Sequence, residues 1–416
     1  MATGTAMDDR AAVGADGERA MGSVPTGSVR EVFRVFLLLG LTSFGGPIAH
    51  LGYFQDALVR RRHWLSEGAY ADIVALCQVL PGPTSSQVGL MIGQRRAGVA
   101  GAFAAWLGFT LPSALLMTAF AFGLDLFDTT IGDGIIHGLQ TVAVAVVALA
   151  IWSMARPLWP DRRRATLGLV AAIVILVWPT ATVQVLVIAG AGLAGVVLFR
   201  PGRGTAVAGA GPAVSPIARR TGTVGLVLFV GLLVGLPVVS SLAGTRLLDL
   251  VDGFYRAGAL VFGGGHVVLP LLEAEVVPAG WVTPDQFTAG YGLAQAIPGP
   301  LFTFSAYLGA IAAGGTGATV ALLAIFLPSF LLVLAVGPLW EAVRGRPVVM
   351  AALAGINAAV VGILLAALYD PIWTSSIHRP VDLALAVAAL GALAWWRVPP
   401  WLVVLAGAAV GIVITP

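Results

Sequence analysis

The sequence predicts an all-α polytopic membrane protein built from two inverted-topology repeats with broken or re-entrant helices. Three observations predict it. The chain is 58% hydrophobic and 10% charged, against about 25% charged in soluble domains, and its mean hydropathy is +0.94. A Pro-Gly-Pro interrupts an apolar run at Pro81-Gly82-Pro83, and again 217 positions later at Pro298-Gly299-Pro300. The corresponding loops of the two halves carry opposite charge: Arg60-Arg61-Arg62 in the first, Glu273, Glu275 and Asp285 in the second.

In chain order, residues 1–29 lack periodicity and read as a disordered cytoplasmic tail. The first repeat occupies 30–199. Its first apolar segment, about 31–54, is interrupted at Phe44-Gly45-Gly46-Pro47, and its second, about 69–93, at Pro81-Gly82-Pro83. A third follows at about 98–123, then a short loop with Asp125, Asp128 and Asp133. A fourth, about 134–155, ends at Arg156 and Arg162-Arg163-Arg164, and two shorter ones meet at Trp178-Pro179. Residues 200–220, rich in Gly, Ala and Arg, form a cytoplasmic linker. A connecting transmembrane helix at 221–245 leads into the second, inverted repeat at 246–416.

The second repeat follows the same plan. Phe262-Gly263-Gly264 matches Phe44-Gly45-Gly46, Trp281 matches Trp64, Gln295 matches Gln78, and Leu327-Pro328-Ser329 matches Leu111-Pro112-Ser113. Ordered matches at a nearly constant offset indicate an internal duplication. By the positive-inside rule, the loop at Arg60 is cytoplasmic and its counterpart is not, so the repeats are expected to be inverted. The loops at Arg60 and Arg95-Arg96 are both basic, although a broken segment lies between them. A re-entrant hairpin satisfies both. In that topology only Arg246, Arg256 and Arg379, of 23 arginines, fall outside.

Non-helical backbone survives in a bilayer where protein or water satisfies it, as at the midplane sites of inverted-repeat transporters. Pro83 suits the first turn of a new helix. The free N–H groups there, with the positive dipole end, make an anion site without a full charge. Thr84, Ser85 and Ser86 add hydroxyl donors, and the second copy offers Thr303 and Ser305. Gly45, Gly46, Gly263, Gly264 and Gly265 allow close backbone approach. His50 and His266 lie beside the Gly breaks and can hydrogen-bond an oxyanion or carry a proton. Gln78 and Gln295 precede the Pro-Gly-Pro breaks symmetrically. Glu273 and Glu275 fall at an external rim.

The basic residues, all arginine, cluster by loop, so no nucleic-acid partner is needed to explain them. The single cysteine, Cys77, excludes an intramolecular disulfide and a cysteine metal cluster. Five dispersed histidines and that cysteine argue against an intramembrane enzyme; no catalytic group, metal or cofactor is implied. The partners are the lipid bilayer and a small solute, and a homodimer is an assembly left open.

Phe44-Gly45-Gly46-Pro47 with His50, Pro81-Gly82-Pro83-Thr84 with Gln87 and Gly89, and the copies at Phe262-Gly263-Gly264-Gly265-His266 and Pro298-Gly299-Pro300 resemble the chromate ion transporter family in its long, two-domain form. The resemblance spans about 30–415. It implies export of chromate across the inner membrane of a bacterial cell and chromate resistance, with sulfate as the look-alike dianion and potential or protons as the drive. Other anions, or a lipid flippase, would need the same architecture. The second copy departs from the pattern, with Leu301-Phe302 where Thr84-Ser85 stand, so its half of the site is expected to be less polar.

Overall fold

A computed structural model describes residues 27–44, 46–123, 130–199, 216–262, 265–336 and 346–414. The described residues contain helices and no strand. Gly45, Gly263, Gly264, Asp125, Asp128, most of the tail and most of the 200–220 linker lie outside them.

The first half comprises α1 (Val29–Thr42), α2 (Gly46–Phe54, continuing as a π-helix over Gln55–Arg61), α3 (Glu67–Val79), α4 (Thr84–Phe122), α5 (Thr130–Leu158), α6 (Arg162–Val177) and α7 (Ala181–Leu198). A connecting helix follows, α8 (Pro216–Ala243). It begins inside the stretch read as linker, and Asp133 sits on α5 and not in a loop. The second half repeats the order: α9 (Arg246–Leu260), α10 (a 3-10 turn Gly265–Val267, then Val268–Val276), α11 (Pro284–Ala296), α12 (a 3-10 turn Leu301–Thr303, then Phe304–Val336), α13 (Pro347–Ala367, then a π-helix Leu368–Trp373), α14 (Pro380–Ala394) and α15 (Pro400–Ile414).

The local sequence explains the helix starts. Ser28, Ser66 and Asp161 cap α1, α3 and α6 by accepting backbone N–H groups three residues on, and Thr283 with Gln286 forms a capping box on α11.

α4 is two arms, because the chain reverses at Ala97-Gly98. Gly98 has φ +66° and ψ −160°, and Gly314 in α12 repeats it at +64° and −157°. Only glycine populates that region comfortably. The arms then lie against each other, the backbone of Gly93 touching that of Gly101, and Gly309 touching Gly317 in the copy. A Cβ on Gly98 would meet nothing within 4 Å, so its substitution isolates backbone strain. Gly98→Ala is expected to destabilise the protein by roughly 1–3 kcal/mol, seen as a lowered melting temperature. An unchanged melt would show that the reversal relaxes.

The broken segments double back. α1 and α3 have 14 and 13 residues, about 20 Å of helix, short of a hydrocarbon core of about 30 Å. Their outer ends gather with the end of the first arm of α4. Gly27 N–H donates to the Arg96 carbonyl at 3.0 Å, Arg96 pairs with Glu31 at 3.2 Å, and its guanidinium lies 4.9 Å from the centroid of Trp64. In the second half Arg246 reaches the Ala312 carbonyl at 3.1 Å in the matching place.

The halves interleave. The second arms of α4 and α12 cross antiparallel: Trp106 meets Phe326 and Phe330, with centroids 5.6 and 5.4 Å away, while Ala114, later in α4, clusters with Ala318, earlier in α12. α5 is clasped by the second half, with Gly134 and Gly138 against Gly411 and Gly407 of α15. α13 is clasped by the first, with Gly355 against Gly195 of α7 and Gly362 against Gly168 of α6. Small residues let backbones approach where lipid offers no hydrophobic drive for helix association. Among the described residues, five helices are long and apolar enough to cross a membrane. Of the apolar stretch of α8 only 6% is buried, and Val227 and Val234 are 64% and 66% exposed. Leu193, Val197, Leu242 and Val413 are more than two-thirds exposed. An outer surface this apolar suits lipid. The chain is a multi-pass membrane protein.

Candidate functional site: the meeting of four helix breaks

The break tips of one half bond to the other half. Gly82 N–H donates to the Val261 carbonyl at 2.7 Å, and Gly299 N–H donates to the Ser43 carbonyl at 2.9 Å. Ser43 and Val261 cap the C-termini of α1 and α9. Each Pro-Gly-Pro thus satisfies one orphan carbonyl at a helix end that breaks before Gly. The Gly breaks also meet: a Cβ on Gly265 would lie 3.2 Å from Pro47 Cγ, with Leu301 next.

Side chains complete these tips. Gln87 Nε2 donates to the Pro81 carbonyl at 2.6 Å and to Ser329 Oγ at 3.3 Å. Ser329 therefore backs Gly82, and its counterpart Ser113 backs Gly299, where a Cβ would lie 2.7 Å from Ser113 Oγ. His50 is buried, with Nδ1 3.3 Å from Ser85 Oγ and its ring edge-on to Phe109 at 5.3 Å. The N–H groups of Thr84, Ser85 and Ser86 precede the first backbone bond of α4, from Gln87 to Pro83. Around them, the buried atoms Ser43 Oγ, Ser86 Oγ, Gln87 Oε1 and Thr110 Oγ1 have no hydrogen-bond partner among the described residues. Buried polar atoms without a protein partner call for one, which water or a bound solute can supply.

The copy of this arrangement is apolar. Leu301, Phe302, Phe304 and Phe326 stand where Thr84, Ser85, Gln87 and Thr110 stand. Phe302, Phe304 and Phe326 are all buried. The Thr303 hydroxyl is occupied by the Pro300 carbonyl at 2.9 Å, while Ser305 Oγ is buried and unpartnered. Most of the unpartnered polar atoms of the cluster therefore come from the first repeat, with Gln295 Nε2 and Ser305 Oγ beside the second repeat's breaks also unpartnered among the described residues.

Most of the expected site residues converge here: Gly46, Pro47, His50, Pro81, Gly82, Pro83, Thr84, Ser85, Gln87, Gly265, Pro298, Gly299, Pro300 and Thr303. Others do not. The Gln78 side chain is exposed on α3, so it is no partner of the half-buried Gln295. Phe44 packs its ring 6.0 Å from Trp401 of α15, and Phe262 is half-buried. His266 Nδ1 bonds the Tyr291 hydroxyl at 2.7 Å. Ser86, expected as a donor, is in the cluster too, and Ser43, Thr110, Ser113 and Ser329 belong to it beyond the expected set. The duplicated Leu-Pro-Ser was the signal for the last two. One cavity of about 200 Å³ reaches Val79, two residues before Pro81, and is lined also by Arg164 and Asn357.

Comparison with known proteins separates the two halves independently. The chromate transporter family model matches residues 30–196 and again 248–412. The chain belongs to the chromate transporter family. Its relatives include a chromate transport protein of Pseudomonas aeruginosa, 29% identical over 90% of this chain and 89% of that one. One of Cupriavidus metallidurans is 26% identical over 95% of this chain and 96% of its own. A probable chromate transport protein of Synechococcus elongatus is 29% identical over 82% of this chain and 84% of its own. No solved structure matches. A chromate transporter family member is a transporter and not an enzyme, in agreement with the dispersed histidines and single cysteine. The two matches leave 197–247 between them, the stretch that holds α8.

Proposed function

We propose that the protein exports chromate from the cytoplasm through the inner membrane of a bacterium, holding the anion at the N-terminus of α4. The observation that carries this is the polar turn Thr84–Gln87. Its N–H groups and hydroxyls face a break with further unpartnered hydroxyls around it, in a chain of the chromate transporter family. A tetrahedral dianion suits a helix N-terminus with several short donors. Sulfate competes, having the same shape and charge. The antiparallel crossing of α4 and α12, two equivalent long helices, supports inverted repeats. The gathered ends of the short broken segments support hairpins that re-enter from one side. Arg164 and Asn357, in the cavity that ends at Val79, then line the cytoplasmic approach.

Uptake of chromate into everted vesicles tests the reading. Saturable uptake that sulfate competes is expected, whereas no saturable chromate flux overturns it and leaves another anion or a lipid as cargo. Ser85→Ala is expected to lower flux roughly tenfold, the scale of a lost hydrogen bond to a charged group. Thr303→Ala, whose hydroxyl is already engaged, is expected to leave flux nearly unchanged. Equal losses in both would refute the one-sided site.

A further inference from the structure

We infer that a second cavity, between α6, α7, α10 and α13, binds a small hard cation. It measures about 180 Å³, and its polar lining is Gln184, Glu273, Tyr369 and Asp370. None of its lining residues is basic. Arg256, which pairs with Glu275 of the same helix as Glu273, is committed to Asp252 and Glu275 at 3.0 and 2.9 Å. The second observation concerns Gln184. It is 2% exposed, and its Nε2 donates to the Pro270 carbonyl at 3.0 Å, which settles the orientation of the amide. Its Oε1 is left buried with no donor among the described residues. A buried acceptor beside two carboxylates lacks a positive partner, and a cation supplies one.

The donor set narrows the ion. Oxygen ligands alone select alkali and alkaline-earth ions over transition metals. Two carboxylates with an amide oxygen fall short of an all-protein cage, so the ion keeps water. A water takes about 30 Å³, which leaves room for a partly hydrated ion. Part of the lining comes from chain turns: Pro179 between α6 and α7, Pro278 after α10, and the π-helical turn bearing Tyr369 and Asp370. In the proposed topology these turns face outward, opposite the arginine-rich loops. The place also has a use. Glu273 lies two turns along α10 from His266, about 10 Å at 1.5 Å per residue, so one short helix joins the cation cavity to the break at Gly265. A cation seated at one end and an oxyanion at the other fix the same helix, which gives a chromate exporter an ion to couple to. The outward placement and this last step rest on the proposed function; the cavity and its ion do not.

The test uses the purified protein in detergent with no oxyanion present. Its thermal unfolding is followed in NaCl, CaCl2 or choline chloride at equal ionic strength. A saturable rise of a few degrees in Tm with sodium or calcium over choline is expected. Glu273→Gln and Asp370→Asn are expected to lose that rise while keeping the choline Tm. No rise with either ion, or the same rise in both variants, overturns the site. So does stabilisation by acid alone, with neither salt acting. No flux is measured, so failure here leaves the chromate reading standing, and failed chromate flux leaves the cation site standing.

Discussion

Gly82→Ala is expected to cut chromate flux in everted vesicles more than tenfold while the protein still reaches the membrane. Three constraints meet at this residue. Its φ is +120°, where L side chains are strained. Its N–H is tied to the Val261 carbonyl. A Cβ there would lie 2.5 Å from Ser329 Oγ and 2.6 Å from Gln87 Nε2. Gln87 can yield, but only by releasing the Pro81 carbonyl, which opens the first turn of α4 where the anion is proposed to sit. The backbone strain alone is roughly 1–3 kcal/mol, tolerable for folding in a protein this size but large for a site that depends on aligned donors. Ser329→Gly removes one of the two clashes, so the double variant should recover part of the flux. Wild-type flux in Gly82→Ala would mean that the tip is not the binding place.

Gly101→Leu should have the larger effect on folding, and little of the variant should accumulate. Gly101 packs directly on the Gly93 backbone, and a side chain there must push the two arms of α4 apart. α1 packs across both arms, with Gly40 against Phe109 and Phe36 against Gly89, so the separation spreads to a third helix. Overpacking a core usually costs about 1–3 kcal/mol; a clash of backbone against side chain without a flexible neighbour belongs at about 4 kcal/mol or more. Gly52→Leu is the control, since Gly52 is exposed and a Cβ there meets nothing within 4 Å. Equal yields of the two variants, measured by fluorescence-detected size exclusion, would show that the arms separate at no cost.

The duplicated breaks were legible because proline and glycine in an apolar run have few other uses. Phe44, Pro81 and Pro298 marked the helix ends to within a few residues. The boundary at Gly98 was legible, because Arg95-Arg96 separates the segments read at about 69–93 and about 98–123. The tightness of the reversal was hidden: in a chain with 53 glycines only the packing of Gly93 on Gly101 reveals it. The pairing of breaks across the halves was equally hidden, because hydrogen bonds from Gly82 and Gly299 use backbone atoms that every residue has. Gln78 and Gln295 misled for the opposite reason. They match in sequence, but their helices meet different neighbours, so one side chain turns outward and the other inward. Replacement of Thr84, Ser85 and Gln87 by Leu301, Phe302 and Phe304 was visible in the sequence; that it leaves most of the polar side of the cluster to one repeat required the packing.

The reciprocal bonds between Gly82 and Val261, and between Gly299 and Ser43, bear on how the molecule is made. Ser43 leaves the ribosome long before Gly299 exists, a delay of roughly 10–50 s at about 5–20 residues per second. Over that time the newborn first half holds an unanswered carbonyl at Ser43 and an unanswered amide at Gly82, which in the proposed topology lie within the bilayer. It is an unfinished object until its second half arrives. Each half thus supplies the partner that completes the other's helix ends.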